Sequence, residues 1–89
     1  MIVTDNNNNM LIIETTYHDN GKIHYETPFL NGCIHGTQKV YDEDGMLCME
    51  INWECDELHG YIYSYDKNGR TIQVDLYRNN SLIDMVLYD

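Results

Sequence analysis

Basic residues are scarce in this chain: five lysines and arginines stand against fifteen aspartates and glutamates, a formal net charge of −10. A chain this negative is repelled by phosphate backbones and by anionic headgroups, so direct nucleic-acid binding and membrane attachment are not expected. Cysteine is sparse as well. Cys33, Cys48 and Cys55 are odd in number and make no disulfide framework, and reduced thiols suit a cytoplasmic setting. Residues Met1 to Met10, with the run Asn6 to Asn9, carry no apolar stretch of the signal-peptide kind, and nowhere does an apolar run approach the ~20 residues of a membrane span. The cytoplasm is therefore the expected compartment.

The motifs of catalysis are also missing. The sequence has no glycine-rich phosphate loop, no nucleophile elbow and no Ser/His/Asp arrangement in a known context, so neither enzyme activity nor a cofactor is expected. Cys33 with His35 and Cys55 with His59 flank successive turns and could bring soft ligands to one edge. Without a Cys-x-x-Cys or a paired His spacing, however, turn-capping histidines are the expectation and no metal is assigned. Asp42, Glu43 and Asp44 before Gly45 lack the alternating ligands and distal glutamate of a calcium loop.

What the chain does have is a repeat. Tyr17-His18-Asp19-Asn20-Gly21, Tyr41-Asp42-Glu43-Asp44-Gly45 and Tyr65-Asp66-Lys67-Asn68-Gly69 each begin 24 residues after the last. Asn31-Gly32-Cys33-Ile34-His35-Gly36 is matched by Cys55-Asp56-Glu57-Leu58-His59-Gly60 at the same interval, and Asn79 to Asp84 keeps the spacing but has lost His-Gly, as terminal repeats often do. The units run over 17–40, 41–64 and 65–89 of one domain, with 1–10 a flexible N-terminus.

Asn-Gly and Asp-Asn-Gly turns suit connections between antiparallel strands. Alternation supports strands between them: Ile23, Tyr25, Thr27 and Phe29 against Lys22, His24 and Glu26, then Leu47, Met49, Ile51 and Trp53 against Cys48, Glu50, Asn52 and Glu54. The expected fold is all-β, a single antiparallel up-and-down meander of about seven strands over 11–17, 22–30, 37–41, 46–54, 61–65, 70–78 and 82–88. The third long segment breaks the pattern, since Ile72, Val74 and Leu76 stand where the earlier copies are polar. Either a bulge flips that strand or both of its faces are covered.

Tyr-x-x-Asn-Gly, then Glu26 or Glu50, then Phe29 or Trp53, then Asn-Gly-x-x-His-Gly and the next Tyr, resembles the MORN-repeat variant of bacterial YwqK-type antitoxin proteins, over about Tyr17 to Leu82. The resemblance implies a repeat scaffold and neutralisation of a partner protein. The chain departs from the pattern at Val74, where the Glu is lost, and at Asp84, where the Gly is lost.

Charge is distributed unevenly among the repeats. Residues 41–64 hold seven acids and no base, while 17–40 balance at two acids and two bases and 65–89 hold four acids and three bases. Asp42, Glu43, Asp44, Glu50, Glu54, Asp56 and Glu57 are therefore the candidate contacts for a basic protein partner such as a toxin or nuclease, with an acidic sheet standing in for nucleic acid in the partner's phosphate channel. The same physics covers an antitoxin, an immunity protein and an anti-defence protein. Tyr25, Phe29, Met49 and Trp53 make a candidate apolar interface on a sheet with no helix to cover it. A structural module for self-association or scaffolding is the alternative use, with a homodimer one way to cover that face.

Overall fold

The computed structural model describes residues 2–4 and 9–88, the first three through their backbone alone. Nine strands form one antiparallel sheet: β1 (Ile2–Thr4), β2 (Met10–Tyr17), β3 (Ile23–Leu30), β4 (Cys33–Ile34), β5 (Gly36–Tyr41), β6 (Leu47–Glu54), β7 (Glu57–Tyr65), β8 (Thr71–Arg78) and β9 (Ser81–Leu87). Each pairs with its sequence neighbour, apart from β4, a short stub on β3 that β5 continues after His35. The meander expected from the turn chemistry is thus the architecture, with β7 starting at Glu57 rather than Tyr61. Of the N-terminal segment expected to be flexible, residues 1 and 5–8 lie outside the described residues, while Ile2–Thr4 pair with β2.

Two kinds of turn alternate along the edges. At one edge Asn31–Gly32, Cys55–Asp56 and Asn79–Asn80 are two-residue connections in which both residues have positive φ, from 45° to 89°. That is the signature of the type I′ hairpin, whose twist matches that of the strands. At the other edge the N–H groups of Gly21, Gly45 and Gly69 donate to the carbonyls of His18, Asp42 and Asp66 at 2.9, 3.0 and 3.0 Å.

Lateral bonds clamp each repeat to the one before. The N–H groups of Asp56 and Asn80 donate to the carbonyls of Ile34 and Leu58, each at 2.9 Å. Their side-chain oxygens in turn accept from the N–H groups of the same two residues, each at 2.7 Å. Asn31 makes the corresponding pair of bonds with Met10.

Register assigns the side chains to two faces. Tyr25, Thr27, Phe29, Gln38, Val40, Met49, Ile51, Trp53 and Ile62 share what we call the front; Glu26, Lys39, Glu50, Asn52 and Tyr63 lie on the back. The alternation expected at the start of β3 is broken by a bulge, which pairs Ile23 with Tyr17 on the back and brings the His24 ring to 4.0 Å from that of Tyr25. Among the described residues only Val40, Ile62 and Thr27 are buried, and no large side chain is fully enclosed. The extents of 44 × 36 × 19 Å are those of a single layer. The apolar packing sits in the row Tyr25–Val40–Met49 and in the neighbouring Ile51–Ile62 pair.

The third long strand corrects both readings of its pattern. Tyr61↔Leu76, Ile62↔Asp75, Tyr63↔Val74 and Ser64↔Gln73 repeat Thr37↔Asn52, Gln38↔Ile51, Lys39↔Glu50 and Val40↔Met49 shifted by 24, and the bulge at Ser64/Tyr65 recurs at Val40/Tyr41. The backbone is not flipped. Val74 and Leu76 instead put apolar side chains on the back, and that face is uncovered there, with Tyr61 exposed, while Ile72 is the unpaired residue of the bulge and is exposed as well.

The lost His-Gly has a visible consequence. Between Trp53↔Leu58 and Ile51↔Ile62, β7 advances two residues more than β6, and β4–β5 gains the same two over β3. Gly36 and Gly60 take up these offsets at φ of 112° and 104°, a region hostile to a β-carbon. Asp84 stands in their place in β9. There the gain between Tyr77↔Leu82 and Leu76↔Asp84 is one residue, so Val86 pairs with Val74 on the back, whereas its counterpart Ile62 points to the front.

Candidate partner-binding surfaces

The seven acids of the middle repeat, contiguous in sequence, are separated by the path of the chain. Asp42, Glu43 and Asp44 lie at the four-residue turn, Asp56 and Glu57 at the opposite edge, and Glu50 and Glu54 on the back. The eight residues of β6 at ~3.3 Å each put the two acidic edges roughly 26 Å apart.

Several of these carboxylates are engaged within the fold. Asp42 Oδ1 accepts from the N–H groups of Met46 and Asp44, at 3.0 and 2.9 Å, and these bonds hold its carboxyl below the usual range. Glu50 accepts from the Tyr65 hydroxyl at 2.7 Å, as Glu26 does from Tyr41 at 2.6 Å. The Glu and Tyr of the repeat pattern are thus partners across the repeat boundary. Burial, followed by the Glu50 carboxylate, pushes the Tyr65 phenol up to about 12; Glu26 drives the same rise at Tyr41. Asp56 clamps Ile34, Glu54 lies 3.5 Å from His59 Nε2, and Asp44 lies 3.4 Å from Lys67 Nζ.

The four apolar candidates do come together. Tyr25, Phe29, Met49 and Trp53 are half-buried on the front, and Trp53 Nε1 donates to Gln38 Oε1 at 3.0 Å, which fixes the indole across the sheet. Gln38 Nε2 in turn donates to Thr27 Oγ1 at 3.0 Å. In the middle repeat Met49, Ile51 and Trp53 lie between the two acidic edges. An apolar centre within a charged rim is the usual anatomy of a protein interface.

Other surfaces were not singled out from the sequence. On the back, Tyr61, Val74, Leu76 and Val86 line a shallow apolar depression beside Asp84. All of β9 is exposed. The departure at Val74 and Leu76 was the signal, since it marks where apolar side chains change sides. An open polar cleft lies between the first two turns, lined by Tyr17, His18, Asp19, Asn20, His24 and Glu43. His18 and His24 stack there at 4.1 Å, and His18 Nε2 lies 2.9 Å from the Tyr41 carbonyl oxygen.

Two of the thiols are shifted upward: the Asp56 carboxylate raises Cys33, and burial raises Cys48. A cysteine nucleophile needs the opposite shift. His35 Nδ1 accepts from the Cys55 N–H at 3.3 Å, so this histidine does secure a turn. No group of three metal-ligating side chains assembles among the described residues, nor is any helix long and apolar enough to cross a membrane.

These features define a single-layer β-repeat protein, with a glutamate–tyrosine bond joining successive units. Residues 10–31 and 34–54 match the family model of the MORN repeat variant. The register of β7 and β8 carries the same design into the third unit. No curated protein and no solved structure matches the chain.

Proposed function

We propose that this chain is a non-enzymatic protein-binding module of the cytoplasm that neutralises a basic partner, in the manner of an antitoxin, immunity or anti-defence protein. The observation that carries the reading is the middle repeat, whose apolar centre of Met49, Ile51 and Trp53 lies between acidic turns at both edges, with no base in residues 41–64. A nuclease suits such a surface. Its phosphate channel is lined with positive charge, and an acidic rim around an apolar patch engages that charge while the patch supplies desolvated area. Glu50 and Glu54 lie on the back, so they steer the encounter without touching a partner seated on the front.

The test is affinity capture of a partner with the 89-residue chain, followed by association kinetics against ionic strength. Reversing Glu43 and Asp44 to Lys, turn acids whose carboxylates neither close the turn nor clamp the backbone of a neighbouring repeat, should slow association and speed dissociation. Glu54→Lys should slow association alone, and Lys39→Glu should do little. Rising salt should lower the wild-type on-rate as the Debye length falls from ~10 Å at 0.1 M to ~3 Å at 1 M. A partner indifferent both to salt and to the rim reversals would remove the acidic surface from the function.

A further inference from the structure

The edge strand β9 differs from ordinary edge strands. Natural sheets blunt an edge with lysine, proline, a very short strand or a covering loop, because free backbone donors and acceptors template further pairing. β1, at the other end of the sheet, is only three residues long. β9 has seven residues, and its apolar members Leu82, Ile83, Met85, Val86 and Leu87, together with the adjacent Tyr88, are 45 to 67% exposed. Asp84 is the only charge in Ser81–Leu87.

The hydrogen bonds show which backbone groups remain open. The Tyr88 N–H donates to the Ile72 carbonyl at 2.9 Å, so by antiparallel alternation Val86 and Asp84 turn their backbone groups toward β8, while Met85 and Leu87 turn theirs outward. The Met85 N–H donates to the Asp84 carboxylate at 2.9 Å on that outer side, so a strand pairing there exchanges this local bond for one between the two strands, while the Met85 carbonyl and the Leu87 groups face outward.

We propose that the free edge of β9 is a self-recognition surface, on which β9 of a second copy of this chain pairs antiparallel about a two-fold axis through Met85. Two central registers let outward groups meet outward groups. One is centred on Asp84 and sets that carboxylate directly opposite its own copy, an arrangement that like charges disfavour. The other is centred on Met85. It places Met85 opposite Met85, Ile83 opposite Leu87, Leu82 opposite Tyr88 and Asp84 opposite Val86, leaving the two carboxylates apart. The contact is isologous, so it closes at two copies.

Charge also selects this end of the molecule. Two chains of −10 repel, and residues 41–64 contribute −7 of that; Thr71 to Tyr88 hold only Asp75, Asp84 and Arg78, a net −1. A foreign basic protein finds little to hold on β9, whereas a second copy finds an apolar strand of matching shape. Pairing also joins the two back-face depressions lined by Val74, Leu76 and Val86 into one apolar surface.

Sedimentation equilibrium of the 89-residue chain tests this. The expected result is a species of twice 10.5 kDa that strengthens as salt rises, because screening relieves repulsion between the two copies. This is the reverse of the salt response expected for a basic partner. Met85→Lys sets an ammonium against its own symmetry copy and should weaken the dimer about tenfold or more without lowering the melting temperature of the monomer. Hydrogen exchange should show the Met85 and Leu87 amides slowing with chain concentration. A chain that remains monomeric at millimolar concentration in both low and high salt overturns the proposal. So does a dimer that Met85→Lys leaves intact, which would place the contact on a sheet face instead.

Discussion

Tyr65 donates its hydroxyl to Glu50 across the boundary between the second and third repeats at 2.7 Å, and Tyr41 makes the same bond to Glu26 one repeat earlier. The two bonds are 24 residues apart at both ends. They explain why a tyrosine at the start of one unit goes with a glutamate in the unit before. Tyr17, which opens the first unit, is 62% exposed.

Removing either hydroxyl should therefore loosen a repeat junction. Tyr41→Phe and Tyr65→Phe should each cost about 1 kcal/mol, the net worth of one such bond at a half-exposed site, measured by urea unfolding. The double variant should cost the sum, because the two junctions share no residue.

The same bonds give a pH dependence at the alkaline end. Both phenols are raised in the folded chain from 10.0 to about 12. Below pH 10 the proton is held in both states and the contribution is intact. Between 10 and 12 the unfolded chain loses its proton first, so stability falls as pH rises through that window, and above it the contribution is gone. An ultraviolet titration should show two phenols ionising late. Each Phe substitution should remove one late step and part of the slope of stability with pH.

Trp53→Ala should cost about 2 kcal/mol, less than the 3 to 5 of a fully enclosed ring, because the indole is half-buried and contributes packing on one side only. Trp53→Phe should recover part of this but not the bond to Gln38. If the front face binds the partner, Trp53→Ala should also raise the dissociation rate by more than its stability loss explains.

Gly60→Ala and Gly36→Ala should each destabilise by about 1 to 3 kcal/mol, since φ beyond 100° strains any residue with a β-carbon. The cost should be larger at Gly36, where the added carbon would lie 3.3 Å from the Pro28 ring, which has little freedom to move aside.

Cys55→Asn should stabilise the chain by about 0.5 to 1 kcal/mol. Cys55 has φ of 45° at the first position of a type I′ turn, where asparagine is tolerated at lower cost, as Asn31 and Asn79 illustrate in the neighbouring copies. Thermal unfolding under reducing conditions checks it.

The strands were legible because turn residues and alternation act locally, and a period of 24 repeats both signals. The start of β7 was harder to read. Leu58, His59 and Gly60 fall in the stretch where β7 gains two residues on β6, and that interrupts the alternation. The sidedness of β8 was visible only as a contradiction, because register is a backbone property and Val74 and Leu76 altered the side chains while leaving the backbone in place. For the candidate surfaces, the front-face apolar set could be read from period two alone. The acidic set could not, because strand reversal places Asp42 and Asp56, fourteen positions apart in sequence, at opposite edges of the sheet.

The neighbour-only pairing of the strands also bears on how the chain folds. Hydrogen bonds between side chain and backbone reach only as far as the next unit, 23 residues in the case of His18 and Tyr41. Loop closure is therefore inexpensive at every step, and folding can begin at any junction and propagate outward like a zipper. Loss of structure runs the other way: the sheet peels from its ends, and amide exchange should grade from fast in β9 to slow at the β5–β6–β7 centre, where Val40 and Ile62 are buried. A protein that melts inward from its edges keeps its middle repeat, and with it the densest negative charge, ordered longest.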